Sequence, residues 1–248
     1  MTYWLGRKPS PFDINDYKLS SFMPPLKLRS TEIKEREWSF LSESLNQEAT
    51  NHCVGFSGAN YGINLPIQDA YTNEDGHRLY YECKIIDGEP ENEDGSYVRS
   101  IAKALRNNGR IDVYAFASNV EEIKWWILNH SPVIVGTIWT EGMYEPDEDN
   151  IIRPTGSVVG GHAYLLRGFK NGYFIVRNSW GEDWGVNGDA FISIEDFEKI
   201  FRVGGEAMTS VELPLDGDTG NTGVLENNSG CLLAFKNMVD SFFTKVVK

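Results

Sequence analysis

Two short blocks in the second half of the chain constrain its fold more than any other feature. They are Gly160-Gly161-His162-Ala163 and Asn178-Ser179-Trp180-Gly181, the second followed by Trp184-Gly185. Each lies at the end of a strand-like run rich in β-branched and aromatic residues, Ala163–Phe169 and Gly172–Arg177. Between the runs stands Asn171-Gly172, the dipeptide of a two-residue hairpin turn. Such a hairpin pairs its outer ends, so an imidazole and a side-chain amide meet at the edge of a sheet. Val133–Trp139 and Asp189–Ile194 read as further strands.

The first half has a different character. A helix is predicted from Cys53 to about Pro66, with Phe56, Ala59, Asn60 and Ile63 near one face. A second runs from Tyr97 to Asn107 with the apolar stripe Val98, Ile101, Ala102, Leu105, and stops at Gly109. A third, Val120–Asn129, is given Ser118 as its cap. Gly76–Gly95 reads as broken by turn residues, and a short helix is placed within Ser30–Ser42. Helices first and strands second imply an α+β chain of two lobes with a cleft between them. The expected organisation is an N-terminal arm over residues 1–43, containing Pro9, Pro11, Pro24 and Pro25, then a catalytic domain over 44–215. Within it the helical lobe takes about 53–130 and the β lobe about 131–212. A flexible linker follows over 216–230, and a terminal amphipathic helix over 231–248 carries Leu232, Phe235, Val239, Phe242 and Val246.

The 248 residues carry a formal charge of −13, which disfavours nucleic acid and anionic membranes as partners. Three cysteines, Cys53, Cys83 and Cys231, provide no disulfide framework and point to a reducing compartment. No secretory leader and no membrane-spanning run is read, so the expected location is cytoplasmic, or soluble and virus-associated. The acidic runs Glu89–Asp94 and Glu145–Asp149 lack calcium-loop spacing and are read as solvated loops, and no metal or organic cofactor is implied.

Cys, His, Asn and Gln together supply the parts of a thiol hydrolase. A thiol attacks a carbonyl as thiolate, so it needs a neighbouring imidazole to take its proton and later pass it to the leaving amine. An amide behind the imidazole fixes its tautomer, and a donor beside the thiol steadies the oxyanion. Cys53 opens a helix, where the positive dipole end favours thiolate. His162 and Asn178 form the hairpin pair, Trp180 is placed to cover their hydrogen bond, and Gln47 lies six positions before Cys53.

These segments resemble the papain family of cysteine peptidases, specifically its disulfide-free bacterial, archaeal and viral forms. The resemblance covers roughly residues 44–212. It rests on Gln47, on Cys53 through Phe56-Ser57, on His162, and on Asn178-Ser179-Trp180-Gly181 with Trp184 and Gly188. It implies a papain-like two-lobe fold with an antiparallel, barrel-like β lobe. It also implies hydrolysis of peptide or protein substrates through a thioester acyl-enzyme, with Cys53, His162 and Asn178 as triad and Gln47 as oxyanion donor. By the same analogy Gly95, Ser96, Gly160, Gly161 and Ala163 line the substrate site, and Trp180 and Trp184 support the triad. The chain departs from the usual pattern at Thr50, where a cysteine is common, and at Val54, where tryptophan is common.

Two other classes stay open. One is a non-catalytic binding or assembly protein that keeps the fold, for which an arm lying across Cys53 would argue. The other is an acyl transferase or amidase using the same triad. The N-terminal arm and the C-terminal helix are the candidate elements for docking a partner, and the arm is shorter than the inhibitory pro-regions usual in that family.

Overall fold

The computed structural model describes residues 3–25 and 33–211. The expected linker, the terminal helix and Cys231 lie outside the described residues. The helical lobe holds α1 (Cys53–Ile63), α2 (Asn73–Asp87) and α3 (Val98–Asn107). The β lobe is a seven-stranded sheet flanked by α4 (Val120–Asn129) and α5 (Ile194–Phe201). Its strands are β2 (Arg36–Glu37), β4 (Tyr114–Phe116), β5 (Val133–Thr140), β6 (Val158–Lys170), β7 (Tyr173–Arg177), β8 (Asp189–Ser193) and β9 (Glu206–Ser210). The order is β4-β9-β5-β6-β7-β8, with β2 added to β6 and every pairing antiparallel. The molecule is thus the α+β, two-lobe architecture read from the sequence. Among the described residues, no helix is long and apolar enough to cross a membrane.

Helix α1 is buried on every side, as a central helix must be. Its glycines let neighbours close in: a Cβ at Gly55 would lie 2.3 Å from the Gly76 carbonyl oxygen. That contact explains the largest miss of the sequence reading. Gly76 lies inside α2 and does not break it, because its bare Cα receives the Phe56 ring. α2 is started by a capping box between Thr72 and Asp75 and ended by Gly88 in the left-handed region. The cap of α4 is Asn119, whose side chain accepts from the Glu122 N–H at 2.9 Å; Ser118 instead donates its backbone N–H to Glu122. No helix forms over 33–42, where β2 joins the sheet edge. α5 and β9 went unread. Ser193 caps α5 and so turns the expected strand into a helix at Ile194.

The hairpin is formed as its dipeptide predicts, with Asn171 and Gly172 both at positive φ. One apolar cluster joins α1–α3 to Ile134, Ala163, Leu165 and Met208 of the sheet. The other packs α4 and α5 against the opposite face and includes Leu19, Phe22 and Met23. Two further short strands, β1 (Arg7–Lys8) and β3 (Ser96–Tyr97), pair in parallel away from the main sheet.

Candidate active site

Three elements converge where the lobes meet. α1 begins with Cys53, β6 carries His162, and Asn178 directly follows β7. His162 Nε2 lies 2.8 Å from Asn178 Oδ1, and both side chains are buried. The Asn178 oxygen also accepts from the Ser179 N–H at 2.8 Å, which fixes the amide with its oxygen toward the ring. His162 Nε2 therefore donates to Asn178, and Nδ1 is left as the acceptor nitrogen. Trp180 stacks on the imidazole with centroids 4.8 Å apart, and Trp139 meets it edge-on at the same distance. Trp184 packs edge-on against Trp180 and donates Nε1–H to the Tyr144 carbonyl.

Gln47 is held at both ends. Its Oε1 accepts from Ser179 Oγ at 2.7 Å, and its Nε2 donates to the Thr50 carbonyl at 2.6 Å and to the Trp4 carbonyl at 3.1 Å. Thr50 returns a bond from Oγ1 to the Gln47 carbonyl at 2.6 Å. The position where a cysteine was noted as common thus braces the loop by hydrogen bonds. Ser179 was passed over in the sequence reading, although it lies inside the Asn-Ser-Trp-Gly block.

The N-terminal segment crosses this site. Tyr3 stacks on Trp180 at 4.3 Å, Trp4 offers its carbonyl to Gln47, and Leu5 packs over Gly160. The Ser96 N–H donates to the Gly6 carbonyl at 2.9 Å, and Arg7 passes over Gly161. Gly95 and Gly161 must lack side chains here: a Cβ would come 2.6 Å from the Gly6 carbonyl oxygen and 2.2 Å from that of Arg7, respectively. Four of the five expected substrate-lining residues, Gly95, Ser96, Gly160 and Gly161, therefore touch the chain's own segment. The fifth, Ala163, presents its backbone N–H to the Cys53 thiol.

Ion pairs hold the segment down. Arg7 Nη2 lies 2.5 Å from Glu206 Oε2, and Lys8 Nζ lies 2.8 Å from Glu89 and 3.0 Å from Glu93. The run read as a solvated acidic loop is in part this anchor. Hydrogen bonds from Lys8 and then Lys84 pull the Glu89 carboxyl down to about 2.

Under this cover Cys53 and His162 have no exposed surface. Burial pushes the thiol up to about 11, against the opposing N–H groups of Ala163, Gly6 and Val54. Burial also pushes the imidazole down to about 4, against the bond to Asn178. His162 Nδ1 has no hydrogen-bond partner among the described residues. Both groups are accordingly neutral over the ordinary pH range, and the site is closed. His52 stacks on Tyr80 and meets His77 through Nδ1 atoms 2.7 Å apart. Among the described residues, no group of three His, Cys, Asp or Glu is placed to hold a metal ion.

The family model for papain family cysteine protease matches residues 48–208. The chain belongs to the papain family of cysteine proteases. Cathepsin B-like cysteine proteinase 4 of Caenorhabditis elegans is 35% identical over 79 residues, 30% of this chain and 24% of that protein. An uncharacterized peptidase C1-like protein of Acanthamoeba polyphaga mimivirus is 26% identical over 170 residues, 64% of this chain and 53% of its own. The chain thus spans from a quarter to about half the length of these relatives. Among solved structures, xylellain, a cysteine protease from Xylella fastidiosa, superposes with a TM-score of 0.66 at 16% identity. That match covers 83% of this chain and 93% of the other. ProCathepsin B S9 from Trypanosoma congolense gives 0.57 at 13% identity, over 84% and 85% of the two chains. These likenesses extend the papain-family fold across both lobes.

Proposed function

We propose that this chain hydrolyses peptide bonds as a thiol enzyme and rests in a closed form, its cleft filled by residues 3–8. With the segment displaced, water returns to Cys53, the α1 dipole favours its thiolate, and its proton passes to His162 Nδ1. The thiolate sulfur attacks the substrate carbonyl carbon, and the carbonyl π electrons move to oxygen. Gln47 Nε2 and the Cys53 N–H hold that oxygen. Collapse of the intermediate expels the amine, which takes the proton from His162 and leaves a thioester. A water deprotonated by His162 then releases the acid and the free thiol. Asn178 keeps the ring in one tautomer throughout.

The observation that carries this reading is the pairing of His162 with Asn178 under Trp180. Gln47, fixed by Ser179, aims its donor at a peptide carbonyl, that of Trp4. A second reading, a binding protein that keeps the fold, is favoured by the full burial of Cys53 beneath the segment.

Incubating the reduced chain with a peptidyl epoxide and reading adducts by intact mass separates the two. The wild-type chain should label slowly, and the Arg7→Ala, Lys8→Ala double variant quickly. Cys53→Ala and His162→Ala placed in that double variant should not label. A folded double variant with no adduct would favour the binding reading. The same double variant should cleave unfolded casein at peptide bonds; transfer or side-chain deamidation without cleavage would instead favour the acyl transferase or amidase reading.

A further inference from the structure

Helix α2 turns three polar side chains, Tyr80, Lys84 and Asp87, toward the start of β3, at the spacing of one helix face. Each holds one group there. Tyr80 Oη accepts from the Gly95 N–H at 2.9 Å, Lys84 Nζ donates to the Gly95 carbonyl at 3.0 Å, and Asp87 Oδ2 accepts from Ser96 Oγ at 2.7 Å. Glu89, just beyond the helix, accepts from Lys84 Nζ at 2.6 Å and from the Tyr97 hydroxyl at 3.0 Å. The Lys84 side chain has no exposed surface. A buried ammonium is costly unless it is paired and hydrogen-bonded, and this one has both a carboxylate and a carbonyl. All of these residues lie outside the N-terminal segment, so the hold on β3 does not need residues 3–8.

Lys84 differs from its neighbours on α2 in what lies behind its acceptor. The Gly95 carbonyl and the Ser96 N–H belong to one planar peptide unit and point in opposite directions. On the far side the Ser96 N–H donates to the Gly6 carbonyl at 2.9 Å. An ammonium on the carbonyl oxygen fixes the plane in which that N–H points. It also draws electron density toward the oxygen, which strengthens the N–H as a donor. The hold matters because Gly95 stands at φ +82°, a conformationally permissive position, and because β1 is the one strand paired with β3 among the described residues.

We infer that Lys84 is a positioning residue for peptide binding. It acts through the Gly95–Ser96 peptide unit to aim and strengthen the N–H that receives a backbone carbonyl in the cleft. The Gly6 carbonyl is the chain's own occupant of that bond. The inference rests on the cleft's being a peptide site, as proposed above, and concerns binding apart from turnover.

The test uses the full chain carrying Arg7→Ala, Lys8→Ala and Cys53→Ala, which loosens the segment and stops chemistry. Two fluorescent peptides are titrated by anisotropy. One copies residues 3–10 of the chain, and the other has an ester in place of the amide between Gly6 and Arg7. The ester makes the Gly6 carbonyl a weaker acceptor; its loss of the Arg7 N–H is the same for every protein variant and cancels in the comparison. Adding Lys84→Met should weaken the amide peptide about tenfold and the ester peptide about twofold or less. A general loosening of α2 would weaken both by one factor. Lys84→Gln, which keeps a neutral donor, should give the same inequality at smaller size, and melting curves establish which variants are folded. Equal factors in a folded variant, affinities that do not move, or binding of neither peptide by the chain that keeps Lys84 would overturn the inference. With Cys53 restored, unequal factors without an epoxide adduct would instead overturn the hydrolytic reading and leave Lys84 in its role.

Discussion

Residues 3–8 and residues 19–23 belong to the same N-terminal stretch and are bound in opposite ways. The first group lies in the cleft, held by the Arg7–Glu206 and Lys8–Glu89 pairs, by backbone bonds at Gly6 and Trp4, and by the Tyr3 ring on Trp180. The second supplies Leu19, Phe22 and Met23 to the core of the β lobe. Polar contacts exchange for water or for a competing peptide at little net cost, whereas buried apolar area has no such substitute. On the proposed closed form the first half, with only Tyr3 and Leu5 packed in part against the core, is the exchangeable one, and the second is part of the fold. A truncation removing the whole of residues 1–43 would confuse the two.

The largest effect should come from Leu19→Ala, which deletes a fully buried side chain. We expect a loss of about 2–5 kcal/mol in denaturant unfolding. A loss under about 0.5 kcal/mol, the range of ordinary surface changes, would break the comparison by making residues 19–23 a second strap. Next, Arg7→Ala with Lys8→Ala should raise the epoxide labelling rate roughly tenfold to a hundredfold, the scale of a lost, partly buried ion pair. Its melting temperature should move less than that of Leu19→Ala. Unchanged labelling with an intact fold would show that the Tyr3 and backbone contacts suffice to hold the segment.

This division could not be read from the sequence. Pro9, Pro11 and the scattered polar residues made the stretch look uniformly irregular, because its partners, Glu206 and the core of the β lobe, are remote along the chain. The site was more legible. His162 and Asn178 meet because Asn171-Gly172 fixes one hairpin register, and that register is local information. Gln47 and Cys53 are likewise close in sequence. Ser179 and Thr50 were missed as braces because a hydroxyl shows no periodicity. Glu206 was missed because only the crossing of β9 beside β5 brings it to the cleft. Gly76 misled the reading because a glycine needed for close packing looks, in one sequence, like a glycine that ends a helix.

A smaller effect should follow from Ser179→Ala. It removes the hydroxyl that fixes Gln47 Oε1 and leaves the Nε2 bond to the Thr50 carbonyl in place. In the Arg7→Ala, Lys8→Ala background we expect casein cleavage to slow roughly tenfold, less than the 10²–10³ typical of deleting an oxyanion donor outright. A loss as large as that of Gln47→Ala would mean that the amide is placed by Ser179 alone.

The smallest effect concerns pH, and its sign follows from the burial of the thiol. In the closed form Cys53 keeps its proton up to about 11, because burial disfavours the thiolate. In the opened form as proposed, the proton moves from Cys53 to His162, so the pair as a whole loses nothing until alkali removes it. A group whose closed-state pKa is raised stabilises the closed state fully below its open-state value and progressively less as pH rises toward the raised one. Lys8 does not weaken over the same range: burial opposes its charge, but the bonds to Glu89 and Glu93 hold its ammonium above its ordinary range. Release under alkali is therefore assigned to the thiol, with Tyr3, whose phenol is also raised by burial and then by Glu145 and Asp183, adding in the same direction at the top of the range. The ratio of double-variant to wild-type labelling should stay level from about pH 6.5 to 8 and shrink several-fold from about 9 to 10.5, as the wild-type chain opens more often. A ratio that widens across that range would mean that the thiol is not desolvated by residues 3–8, and the contrast between the two halves of the stretch would fail at the point where it bears on catalysis.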